Sequence, residues 1–269
     1  ISDITAMNAV PSQVLVSLAV SNRFPVEAVE ELYQGIALAC KRYKVDLIGG
    51  DTTSSQAGLI INITAIGVEK EEDIVKRSGA RLNDLLVVTG DLGGAYMGLQ
   101  ILEREHSVYL QNPDMQPEME GYDYILERQL KPEARTDIRG ILAELGVKPT
   151  SMIDISDGLA SEVLHLSDQS KVGFRVYEEK IPMDGQTIST AEEFNLNPVM
   201  TALSGGEDYE LLFTIAQEDY GKIKNHPDFT IIGHAVELEQ GNHLVLRGSN
   251  ELAALTAQGW DAFLKNKQK

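Results

Sequence analysis

Two hydrophobic periods alternate along this chain. Val26, Val29, Leu32, Ile36, Cys40 and Tyr43 recur at three- and four-residue steps behind Pro25, which predicts an amphipathic helix over about 25–43. Residues 45–51 predict a short strand running into a glycine turn at Gly49-Gly50. The branched apolar run at 59–68 predicts a buried strand. The charged stretch 69–78 is the best linker. A second unit then begins. Residues 85–90 predict a strand, and 91–94 turn into a helix over about 96–105. Residues 106–117, with Asn112-Pro113-Asp114, predict a surface loop. Helices follow over about 118–130 and 135–145. Another starts near Asp157, with Leu159, Val163, Leu164 and Leu166 towards the core. Tyr209, Leu211, Phe213 and Ile215 alternate along a strand, and 229–235 and 243–247 read as two more. The mixture predicts an α+β architecture, with helices packed on mixed, largely antiparallel sheets.

Composition narrows the function classes. The chain has 269 residues and a formal net charge of −18, so nucleic acid and an anionic membrane surface are unexpected partners. No apolar run approaches the roughly 20 residues of a membrane-spanning helix. The single cysteine, Cys40, fits a reducing, cytoplasmic setting and reads as helix core rather than nucleophile. The five histidines lack metal-ligand spacing. Walker A, GxGxxG, GxSxG and HExxH patterns are absent.

Four segments gather acids, glycines and hydroxyls at element ends. Asp3 reads as a cap before the helix containing Ala6, Met7 and Ala9. Gly49-Gly50-Asp51 is either an ordinary turn or a backbone cradle for phosphate. In the Asp154-Ile155-Ser156-Asp157-Gly158 turn, three oxygen-bearing side chains converge, and helix capping and binding of a hard cation both remain open. Ser204 to Glu210 places three acids before an apolar strand, where they are expected to face solvent, a cation or a polar ligand. Trp260, the only tryptophan, is either a packing aromatic or a stacking surface.

Taken together and in order, SDITAMNAVP at 2–11, LIGGDTT at 47–53, RSGA at 77–80, VTGDLGGA at 88–95, KPEAR at 131–135, DISDGLASE at 154–162, SGGEDYELLF at 204–213 and GWDAF at 259–263 resemble thiamine-monophosphate kinases. These kinases belong to the PurM-like superfamily of aminoimidazole-ribonucleotide synthetase. The resemblance implies two domains. Residues 1–70 would be the latter part of an N-terminal, ATP- and Mg²⁺-binding dimerisation domain, and 71–269 a C-terminal PurM-like domain. It implies transfer of the γ-phosphoryl group of ATP to thiamine monophosphate, with several Mg²⁺ ions and a homodimer. Asp3, Asp51, Asp154 and Asp157 would hold Mg²⁺, the last three being closest to the chemistry. Tyr33, Gly50, Asp51, Arg77 and Ser156 would meet the nucleotide, and Glu207 and Trp260 the thiamine side. Family members begin with an additional stretch carrying an Asp-Asp motif, so the chain resembles an N-terminally incomplete kinase. Asn8 stands where the family usually has glycine. A related ATP-dependent synthetase and a non-catalytic phosphate-ligand-binding protein are the competing expectations.

Overall fold

The computed structural model describes residues 1–56 and 58–257. The chain forms two compact units, Ile1–Ile74 and a second beginning at Val75. The boundary falls inside the charged stretch expected to be a linker.

The first unit comprises α1 (Ser2–Ala6), β1 (Val10–Val20), α2 (Val26–Tyr43), β2 (Asp46–Ser54) and β3 (Leu59–Val68). β1 is central, parallel to β2 and antiparallel to β3. Pro25 is the N-cap of α2, as the sequence predicts, and Lys44 ends the helix in the left-handed conformation. Val14, Val16 and Leu18 form the buried face of β1. Here three expectations change. β3 is not buried: Ile60, Ile61 and Ile63 are 59%, 43% and 52% exposed. α2 buries none of its residues, so Cys40 is half-buried rather than core. Gly49-Gly50 is not a turn but the middle of β2. The pairing of β1 with β2 slips at Val14/Leu15, opposite these glycines. A β-carbon on Gly50 would strike the carbonyl oxygen of Val16, so the close strand approach demands glycine.

The second unit holds β4 (Leu85–Thr89), α3 (Gly94–Gln111), α4 (Asp123–Leu130), α5 (Ile138–Glu144), β5 (Ser151–Asp154), α6 (Leu159–Ser170), β6 (Gly173–Tyr177), α7 (Gly185–Glu193), α8 (Pro198–Ser204), β7 (Leu211–Ile215), α9 (Tyr220–Ile223), β8 (Phe229–Val236), β9 (His243–Val245) and β10 (Leu252–Ala254). Its strands form one sheet in the order β10-β9-β6-β8-β4-β7-β5, antiparallel except for the β6–β9 pair. The α+β expectation holds. β7 is buried along its whole length, on both faces. Leu159, Val163 and Leu166 of α6 pack with Leu86, Ile153, Phe174 and Leu212. α3 runs on to Gln111, so the expected loop begins at Asn112, where the following proline disfavours helix.

Candidate functional site at two interlocked turns

The site in the second unit begins with β5. Its last residue, Asp154, is 4% exposed, and the chain then turns through Ile155, Ser156, Asp157 and Gly158 into α6. The loop after α8 lies against this turn. The amide of Glu207 donates to the carbonyl of Ser156 at 2.8 Å, and the amide of Tyr209 to that of Ile155 at 2.8 Å. Interlocking leaves no room for side chains at two points. A β-carbon on Gly206 would meet the Ser156 carbonyl, and one on Gly158 would lie 2.7 Å from the Leu203 carbonyl. Glu207 and Tyr209 themselves hold positive φ angles of 61° and 52°, unusual for side-chain-bearing residues. The exposed Glu207 carboxylate accepts the Tyr209 hydroxyl at 2.8 Å.

Capping does not account for the three oxygen-bearing side chains of this turn. The N-cap of α6 is Gly158, and no side chain caps the helix there. Asp157 is exposed, and its Oδ2 lies 3.4 Å from the Ser156 hydroxyl. A residue that the motif reading passed over completes the turn. Glu162, 2% exposed, accepts the Asp157 amide at 3.1 Å. Burial, with the nearby Asp157 and Asp154 charges adding to it, pushes its carboxyl up to about 7 against the pull of that amide. A hard cation at this turn fits the donor chemistry, because carboxylate and hydroxyl oxygens are present and the repulsion between the carboxylates would be offset. No three acidic, histidine or cysteine side chains converge as a ready-made metal site among the described residues.

Of the three acids expected to face outwards in the Ser204–Glu210 segment, only Glu207 does. Asp208 and Glu210 are 1% and 3% exposed. Glu210 receives Arg128 at 3.1 Å and Arg135 at 3.0 Å, and the Thr89 hydroxyl at 2.5 Å. Asp208 receives the Gly93 amide at 2.9 Å in front of α3, with Arg128 3.8 Å away. Burial pushes Asp208 up to about 7 despite these partners. Arg128 also donates to the backbone oxygens of Asp91 and Asp208. The network fastens the base of the Glu207 loop to β4, α3 and α4. Apart from Arg128, its members lie in the KPEAR, VTGDLGGA and SGGEDYELLF strings, but their pairing is not legible there.

The other candidates belong to other elements. Asp3 is an exposed first-turn residue of α1, and Asp51 an exposed residue of β2 whose carboxylate accepts the Thr52 amide at 2.9 Å. Met7 and Ala9 fall outside α1. Tyr33 is half-buried on α2, next in the first unit. Arg77 is exposed near the start of the second unit, and its carbonyl accepts the Ser170 hydroxyl. Trp260 lies outside the described residues. Beside the Glu207 loop, Tyr96, Leu196, Met200, Ser204 and Gly205 line a cavity of about 510 Å³.

Comparison with known proteins agrees with the geometry. Residues 1–68 match the family model of the AIR synthase related protein, N-terminal domain. Thiamine-monophosphate kinase of Bacillus subtilis is 32% identical over 98% of this chain and 78% of its own length. The Aquifex aeolicus enzyme is likewise 32% identical, over 98% and 78%. The solved structure of AaThiL complexed with AMPPCP and TMP superposes with a TM-score of 0.76 at 32% identity, over 90% of this chain and 72% of that one. Escherichia coli HypE, a hydrogenase maturation protein, shares the fold at 17% identity with a TM-score of 0.73, over 95% and 76%. The chain belongs to the thiamine-monophosphate kinase family.

Proposed function

We propose that this protein transfers the γ-phosphoryl group of ATP directly to the phosphate of thiamine monophosphate, giving thiamine diphosphate and ADP. The observation that carries the reading is the interlocked turn pair, which brings Asp154, Ser156, Asp157 and Glu207 to one edge of the second unit within a family of such kinases. The acceptor is already an anion at neutral pH, so no dedicated general base is needed. Positioning and charge neutralisation are what the site must supply. With a net charge of −18, the protein would repel both phosphate substrates. Mg²⁺ ions, held by Asp3 and Asp51 of the first unit and by Asp154 and Asp157 of the second, would neutralise phosphate charge when bound. Arg77 adds a fixed cation, and Tyr33, Gly50, Asp51 and Ser156 are the nucleotide contacts in this reading. Glu207 suits the cationic thiazolium. The adjoining cavity is within the roughly 300–1,000 Å³ of small-molecule sites and has an aromatic wall in Tyr96. Trp260 is assigned to the same substrate.

Residues 1–70 are assigned to ATP and Mg²⁺ binding and to self-association, and 71–269 to the PurM-like domain. The apolar side chains left open on β3 support a homodimer through the first unit. A cytoplasmic setting agrees with Cys40 as the single cysteine. No described helix is long and apolar enough to cross a membrane. The test is ADP formation with ATP, with thiamine monophosphate and Mg²⁺ each added or omitted. Asp154→Asn is expected to lower turnover on the order of 100-fold while leaving the melting temperature nearly unchanged. Undiminished turnover would remove Asp154 from the cation site, and no product from thiamine monophosphate would shift the reading to another phosphate acceptor.

A further inference from the structure

Glu162 is a carboxylate that the reaction does not call for, buried where a carboxylate is costly. It sits in the first turn of α6, 2% exposed, close to the acids Asp154 and Asp157. Ordinary helix capping does not explain it. In a capping box, an acid at the third helical position reaches back to the N-cap amide. With Gly158 as N-cap, Glu162 is at the fourth position and reaches one residue further back, to the amide of Asp157 at 3.1 Å. Its own amide donates to the Gly158 carbonyl at 3.3 Å, so backbone and side chain together clasp the turn. The clasp closes on the residue whose carboxylate stands exposed next to the Ser156 hydroxyl.

We propose that Glu162 is a positioning residue of the cation site: its buried carboxylate holds the Asp157 backbone, and so sets the direction in which the Asp157 side chain meets Mg²⁺. This rests on the cation reading of the turn given above. Glu162 is not itself a ligand in this scheme. What matters is an acceptor oxygen at the reach of a glutamate, not the negative charge. Groups that orient a metal ligand from behind commonly change metal affinity about 10- to 100-fold when altered.

Two conservative variants separate reach from charge. Glu162→Gln keeps the acceptor at the same reach and loses the charge. Glu162→Asp keeps the charge and falls one methylene short of the Asp157 amide. The first measurement is thermal melting of the full chain titrated with MgCl₂ alone, reading the Mg²⁺ concentration at half-maximal stabilisation. The second is the Mg²⁺ dependence of ADP formation. Glu162→Gln is expected to stay within about threefold of wild type in both, and Glu162→Asp to need about 10-fold more Mg²⁺ in both. Equal Mg²⁺ requirements for Glu162→Asp and wild type would overturn the proposal, whatever their melting temperatures without Mg²⁺, since a purely structural role moves only the latter. A defect in Glu162→Gln matching that of Glu162→Asp would overturn it too, by making charge the operative property. If Mg²⁺ leaves wild-type melting unmoved, the cation reading fails and takes the proposal with it. Should Mg²⁺ stabilise the chain without ADP formation, the kinase reading alone fails, and the melting titrations still decide the role of Glu162.

Discussion

The two units treat similar sequence in opposite ways. Each has a run of branched apolar residues next to a glycine–acid segment. In the second unit the apolar strand β7 is covered on both faces, and the acids Asp208 and Glu210 are buried against arginines and amides. In the first unit β2 is exposed along its length, β3 keeps four isoleucines open, and α2 buries nothing. The second unit therefore carries its own core, whereas the first relies on a short buried face of β1. Apolar pattern alone specifies a strand. Whether that strand is covered depends on what the rest of the assembly supplies.

The sharpest way to test the self-sufficiency of the second unit is to unbalance its buried charges. Arg128→Met leaves Glu210 and Asp208 short of a cation in a site they cannot leave, and should destabilise this unit by about 3–5 kcal/mol in denaturant unfolding. A loss below about 1 kcal/mol would mean that Arg135 alone compensates. In the first unit, Gly50→Ala drives a methyl into the Val16 carbonyl and should cost about 1–3 kcal/mol, read by the same method. Ile61→Asp addresses the open face: sedimentation should show a shift from dimer to monomer, with melting of the second unit unchanged. A monomeric wild-type chain would end the contrast between a self-contained unit and one that needs covering.

The smallest effect expected is a pH dependence. Burial, helped by the Arg175 and Lys180 charges, lowers the pKa of His234 below its ordinary 6.5. Between the lowered value and 6.5, the unfolded chain takes up a proton that the native state refuses. Stability from this group is thus present in full above pH 6.5 and is lost as pH falls through that window. Melting followed from pH 7.5 to 5 should show a shallower decline in His234→Asn than in wild type.

Much of the fold was legible. Pro25 and the three- and four-residue spacing placed α2, and the alternation of Leu211, Phe213 and Ile215 placed β7. The turn at 154–158 stood out in the sequence because it carries more oxygen-bearing side chains than capping needs. What the sequence misplaced has physical causes. Gly49-Gly50 looks like a turn because glycine permits turns, but here it permits two strands to approach. Residues 106–111 read as part of the loop that carries Asn112-Pro113-Asp114, yet they continue α3. Glu162 lay in the DISDGLASE string without a role, because nothing local reveals that its side chain turns inward to the Asp157 amide.

By itself, the sequence determined most of the elements, the family and which acids gather at element ends. Local patterning and short motifs act over a few residues, so they can be read in a line. Only the tertiary structure decided which acids are buried scaffold and which face outward. Glu210 meets Arg128 and Arg135 across 82 and 75 residues of chain, and Glu207 meets the Ser156 carbonyl across 51. The cost of a buried charge is set by the partners that folding brings to it, and those partners are distant in sequence.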